Sequence, residues 1–453
     1  MKIHKNIIIA FTALCPFIVN AQNDITGTWH GTLSVTPQAK LRVVFHIDPL
    51  ADIKAKMDSP DQAAIGMPGE LRFTSPDSVN LAFPAIGADF CGRLSEGAIK
   101  GKFSQRGISF PLELAPGEFE MKRPQTPVPP FPYSTEETAI PNPDAEGVIL
   151  AGTLTIPANA SNDTPLAVLV SGSGLQNRDE EIMGHKPFAV IADALARKGI
   201  ATFRYDDRGF AQSTGDPAKC TTADNASDAA AALRHLRSSR RFGKSGIIGH
   251  SEGAQIAFML AADGKTRPDF IVGLGTPAVR GDSVLVDQTG TALTMAGMPK
   301  EWTDAHLEAL RKIYAAMIAG EKEEALRLAE ERIEATKNIP PMLALSENLR
   351  SITEIQNPWL IHFYKYSPAD DIIKTSCPAL ALYGEKDIQV HPTLNISAME
   401  HLNPKVKTKL YPNLNHLFQH AQTGAVSEYS TIEETVSPEV LADIAEWVSG
   451  FRR

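Results

Sequence analysis

The chain has 453 residues, a hydrophobic fraction of 43%, a charged fraction of 21% and a formal net charge of −9. That is too long for one hydrophobic core and ordinary in composition for a folded protein, which excludes disordered and collagen-like classes and leads us to expect more than one domain. The acidic balance, with no basic run carrying interleaved aromatics, argues against nucleic-acid binding.

Residues 1–21 combine Lys2 and Lys5, an apolar run from Ile7 to Val19 and the small-residue pattern Val19-Asn20-Ala21, which predicts a cleaved signal peptide and an exported protein, periplasmic or secreted. The run is shorter than the roughly 18 residues a membrane span needs, and nothing later approaches that length. Cys15 lacks the small residue ahead of it that a lipid-attachment site requires. The other cysteines, Cys91, Cys220 and Cys377, have no metal-ligand spacing and are expected as buried free thiols.

Residues 22–122 alternate β-like runs, such as LRVVFHI at 41–47 and GAIKGKFSQRG at 97–107, with Gly, Pro and Asp turns, predicting a small all-β domain. Seven prolines between Pro124 and Pro143 then read as a linker over 123–146. From 147 to 453 apolar strands alternate with amphipathic helices, the pattern of an α/β fold with a parallel sheet covered on both faces. Strands are expected at 166–172, 200–207, 378–387 and 407–416, and helices near 188–198 and 223–238 and at the carboxyl end. A helical insertion at about 276–366, typified by GEKEEALRLAEERIEAT at 320–336, interrupts the pattern.

The stretch IIGHSEGAQIA, 247–257, places Ser251 between Gly249 and Gly253. G-x-S-x-G arises by chance in about one such sequence in ten, so its context has to decide. A strand leads in and a helix leads out, the setting in which a nucleophilic serine sits on a tight turn between residues without bulky side chains. A serine needs a base, and the order serine, acid, histidine along such a sheet selects Asp387 and His416. Glu385 competes with Asp387 on the same loop; His391, His401 and His420 compete with His416, with His420 expected to face solvent. Two oxyanion donors are expected, the backbone N–H of Glu252 at the helix start and that of Ser173 in the Ser171-Gly172-Ser173-Gly174 loop.

These residues resemble the α/β-hydrolase superfamily, and within it secreted bacterial serine esterases with an extra amino-terminal β domain. The resemblance rests on SGSGLQNRDE at 171–180, GHKPFAVIADALARKGIATFRYDDRG at 184–209, GHSEG, GEKDIQV and LNHLFQ, together with SPDQ at Ser59. It implies an α/β-hydrolase sheet with a helical cap, a triad of Ser251, Asp387 and His416, and hydrolysis of short-acyl carboxylic esters, small molecules being the partners. Ser171 stands where the superfamily's commoner oxyanion motif has histidine. The rival readings are a serine peptidase of the same fold, gripping a free amine with Asp179, Glu180 and Glu181, and a non-catalytic binding protein with a vestigial site.

Asp206-Asp207-Arg208-Gly209 is read as a turn that uses Asp and Gly for geometry alone. His185, with Lys186, is expected at the surface. Trp302, Trp359, Phe363, Tyr364 and Tyr366 are candidates for an acyl pocket or for the insertion's own core. Asp58, Asp61 and the histidines are too scattered for a metal site, and SGSG lacks the lysine of a phosphate-binding loop, so no cofactor or metal is expected.

Overall fold

A computed structural model describes residues 25–35, 40–62, 64–75, 77–117, 122–339, 349–354 and 357–452. The signal-peptide reading and Cys15 lie outside the described residues. The chain divides into two compact units, Met1–Glu120 and Met121–Arg453.

The first unit is a closed antiparallel barrel of eight strands, β1 to β8, running in order from Gly27–Ser34 (β1) to Ile108–Pro116 (β8). It closes where β1 meets β8, with Trp29 opposite Pro116 and Gly31 opposite Leu114. Alternate side chains point inward and fill the interior. Phe45 stacks on Phe83 at 5.5 Å and lies 5.1 Å from Phe90, all three buried. Burying each such side chain stabilises the unit by about 1.5–3 kcal/mol.

The second unit is built on an eight-stranded sheet. Its strands are β9 (Tyr133–Pro141), β10 (Ile149–Pro157), β11 (Leu166–Val170), β12 (Ala201–Tyr205), β13 (Ser245–His250), β14 (Ile271–Leu274), β15 (Ala379–Gly384) and β16 (Lys407–Tyr411). The spatial order is β16-β15-β14-β13-β11-β12-β10-β9, parallel from β16 to β12, with β10 and β9 antiparallel at one edge. The inner strands β11, β13, β14 and β15 are buried on both faces because helices cover both. Ala167 and Leu169 pack with helix α1 (Pro187–Arg197) and the final helix Pro438–Ser449. Val168 and Val170 face α2 (Thr222–Ser238) and α3 (Glu252–Ala262) on the other side.

The Pro-rich stretch is only partly a connector. Residues 133–141 are strand β9, paired with β10 along nine residues. Ahead of it, Arg123 donates to the carbonyls of Ile432 and Met183, and Gln125 to that of Val436, all within the second unit. The prolines thin out after Pro132, and the run TEETAI then has every backbone donor a ladder needs.

Between β14 and β15 the chain leaves the sheet for α4 (Gly281–Met295), α5 (Lys300–Ala319), α6 (Lys322–Thr336), a helical turn at 349–354 and helix Pro358–Lys365. These helices share a core of their own that includes Ile313, Tyr314, Met317, Ala325 and Tyr364. Among the described residues no helix is long and apolar enough to cross a membrane.

Candidate active site

Ser251 stands between β13 and α3 with φ 52° and ψ −116°, a conformation that costs a non-glycine residue about 1–3 kcal/mol. The surroundings leave no alternative. A Cβ on Gly249 would fall 2.1 Å from the Gly253 carbonyl oxygen, and one on Gly253 would fall 2.0 Å from that of Val170. The turn is held by the Ser251 N–H, which donates to the Leu274 carbonyl of β14 at 2.8 Å. The Ser251 hydroxyl has no hydrogen-bond partner among the described residues and opens into a cavity of about 250 Å³.

His416, on the loop after β16, lines the same cavity. Its Nδ1 lies 2.7 Å from Asp387 Oδ2, both side chains being buried. A carboxylate can only accept, so Nδ1 carries the hydrogen and Nε2 is left as the basic nitrogen. The other carboxylate oxygen of Asp387 accepts from the N–H groups of Gln389 and Val390, both at 2.8 Å, which fixes the carboxylate on the loop after β15. Gly275 makes the fit possible. At φ 59° it presents no side chain where a Cβ would stand 3.0 Å from the His416 ring and 3.3 Å from Asp387.

The rival candidates lie elsewhere. Glu385 is exposed and accepts from the Asn413 N–H at 2.9 Å, His401 is exposed, and His420 pairs with Glu434 at the surface. Ser173 and Gly172 line the cavity from the loop after β11, and Glu252 is the first residue of α3, where an N–H has no carbonyl one turn behind it to donate to. The Glu252 carboxylate turns away and accepts from the Trp359 indole at 2.9 Å.

Of the five insertion aromatics, only Trp359 and Phe363 reach this cavity, their rings stacked at 5.4 Å. Tyr364 is in the insertion's core, Tyr366 donates to Asp371, and Trp302 is exposed. A larger cavity of about 960 Å³, lined by α4 and α5 residues such as Val286, Thr291 and Leu307, includes none of Ser251, Asp387 and His416.

Three expectations need correction. His185 is not at the surface but fully buried, with Nδ1 2.9 Å from the Thr435 hydroxyl and Nε2 2.8 Å from the Tyr429 carbonyl; burial pushes it down to about 4. The Asp206-Asp207-Arg208 turn uses its charges as well as its geometry. Asp206 pairs with Arg178, Arg208 with buried Asp228, and Asp207 accepts from the Ser171 hydroxyl and the Gln176 N–H, both at 2.8 Å. Desolvation pushes Asp207 up to about 7 against those two hydrogen bonds. Among the described residues Cys91, Cys220 and Cys377 are free thiols, but Cys91 is exposed and the other two are half-buried rather than buried; desolvation raises Cys220 to about 12 and Cys377 to about 11.

Glu180 and His250, which no motif marked as functional, line the cavity as well. Glu180 was read only as a possible amine anchor. Its Oε1 accepts from the Gly172 N–H at 2.7 Å and lies 2.9 Å from His250 Nδ1. His250 Nε2 donates to the His416 carbonyl at 3.0 Å. Burial alone would push His250 down, but the Glu180 carboxylate, the His416 carbonyl and Asp387 outweigh it and raise it.

Residues 185–421, just over half of the chain, match the family model described as "Serine aminopeptidase, S33". The chain belongs to this α/β-hydrolase family. It is also similar to Esterase EstD of Thermotoga maritima, 26% identical over 303 residues, which cover 66% of this chain and 65% of that protein. Among solved structures it is similar to the Pyrococcus furiosus esterase Pf2001, at 15% identity and a TM-score of 0.42, covering 71% of this chain and 94% of that one. Proline iminopeptidase of Mycobacterium smegmatis, at 17% identity and a TM-score of 0.43, covers 70% and 99%.

Proposed function

We propose that this protein is a serine carboxylesterase acting on short-acyl esters. The observation that carries the reading is the His416–Asp387 hydrogen bond of 2.7 Å at the cavity into which Ser251 opens. In this mechanism Ser251 Oγ attacks the ester carbonyl while His416 Nε2 takes its proton. Asp387 holds the tautomer and stabilises the imidazolium without itself becoming protonated. The N–H groups of Glu252 and Ser173 receive the oxyanion. His416 then gives its proton to the departing alcohol, and water, deprotonated in its turn by His416, releases the acid from Ser251.

A small cavity walled by Trp359 and Phe363 suits a short acyl chain. The esterase similarity to EstD supports the same class.

The second reading, a peptidase gripping a free amine, is favoured by the family's description. The carboxylates it needs are engaged, however. Asp179 pairs with Arg204, Glu180 with His250, and Glu181 with Lys186 at 3.6 Å. Hydrolysis of a series of aryl esters from two to eight carbons, set beside amino-acyl anilides, tests the reading. We expect rates to peak at the short end of the series; faster cleavage of the anilides would reverse it.

Export belongs to the same proposal. Recovery of protein starting at Gln22 from the cell envelope or medium would support it, and protein retaining Met1 in the cytoplasm would contradict it.

A further inference from the structure

Besides the Asp387 loop after β15, which His416 itself engages, three loops supply the proposed machinery, each from a different strand end: the Ser171–Gly174 loop after β11, the elbow after β13 and the His416 loop after β16. Loops at the edge of a sheet do not hold sub-ångström registry by themselves, yet a misplacement of 1 Å can lower a rate by about 100-fold. Something must tie them together.

We propose that Glu180 and His250 are positioning residues that lock these loops to one another, an inference resting on the esterase reading. Glu180 Oε1 takes two hydrogen bonds at once, from Gly172 at 2.7 Å and from His250 at 2.9 Å. Gly172 immediately precedes Ser173, so the carboxylate fixes the peptide that leads into the proposed second oxyanion donor. His250 immediately precedes Ser251, so its ring is carried by the elbow itself. Its far nitrogen donates to the carbonyl of His416 at 3.0 Å, and the two rings lie 4.6 Å apart.

The path Gly172 N–H, Glu180, His250, His416 C=O thus runs from the oxyanion loop to the base along the wall of the cavity. Glu180 is 5% exposed and His250 7% exposed, so water competes poorly for any of these bonds. The space is closed as well, since a Cβ on Gly172 would stand 3.3 Å from Glu180 Oε1 and 3.2 Å from the Ser251 Cβ. A merely structural ion pair could be satisfied anywhere along these segments. This one bonds the residue next to each of two reacting groups and the main chain of the third.

Glu180→Gln keeps the size of the side chain and loses its charge; Glu180→Ala loses the acceptor as well. On an acetyl aryl ester, with rates expressed per active site by burst titration, we expect kcat to fall about 10-fold in the first and on the order of 100-fold in the second, the loss of an oxyanion donor setting the scale. KM should change less than twofold.

Ser251→Ala, measured alongside, separates two failures. Should it retain wild-type activity, the esterase reading itself fails. If it is inactive while Glu180→Gln and Glu180→Ala keep wild-type kcat per active site, the positioning role alone is overturned. A fall confined to the number of active sites, with kcat per site intact, likewise makes the pair a folding element and overturns the proposal. If Glu180→Ala does not fold, the kcat of Glu180→Gln decides.

Discussion

Ser251 carries backbone strain that its neighbours enforce, and the side chains around it are arranged so that one nitrogen of His416 is basic. On the proposed mechanism, Ser251→Ala should lower kcat by about 10⁴-fold or more, and Asp387→Asn by about 10⁴-fold through the wrong tautomer, both read by steady-state ester hydrolysis with the fold checked by circular dichroism. Asp207 offers a prediction in pH. A buried carboxyl raised to about 7 holds its proton more tightly in the native state than in the unfolded chain. The native state is therefore favoured at acid pH, and that advantage drains away as pH rises from about 4 towards about 7. Thermal unfolding of Asp207→Asn should lose less stability than wild type over this interval; parallel curves would contradict it. The placement of Ser251, Asp387 and His416 just after strands was legible because the order of those strands along the chain is readable. His185 was not, since its partners Thr435 and Tyr429 are 250 and 244 residues away and nothing local signals its burial.

The strand–elbow–helix unit tolerates no change in its glycines. Gly253→Ala would drive a methyl to within 2.0 Å of the Val170 oxygen, and we expect a loss of more than about 4 kcal/mol in denaturant unfolding. The insertion offers a gentler variation. Trp359→Ala removes one wall of the 250 Å³ cavity and the indole bond to Glu252, and should raise the relative rate on longer acyl chains by about tenfold or more. An unchanged chain-length profile would take Trp359 out of the acyl pocket. Most sheet strands and their helices were readable because runs such as LAVLV and AQIAFML differ in length and period. Strand β9 was obscured by the prolines before it, and the division of the insertion's aromatics between cavity and core depends on which helix face packs where, which composition does not encode.

At the scale of the molecule, the barrel has a complete apolar interior of its own, with Phe45, Phe90, Ile99 and Leu114 all fully buried. Residues 25–117 expressed alone should fold and unfold cooperatively, with a stability of about 5 kcal/mol by urea titration. A molten or aggregated product would show that the unit needs the rest of the chain. Its β character was readable from short β-like runs set between Gly, Pro and Asp turns, but its closure was not, because the pairing of β1 with β8 joins segments more than 80 residues apart. In the second unit, 166 residues separate His250 from His416, and the whole insertion lies between them. A chain emerging from the ribosome therefore completes its elbow long before its base exists. On the proposed assignment the nascent polypeptide stays inert until the loop after its last strand is made, and a product truncated within the insertion would carry a serine with no base to activate it.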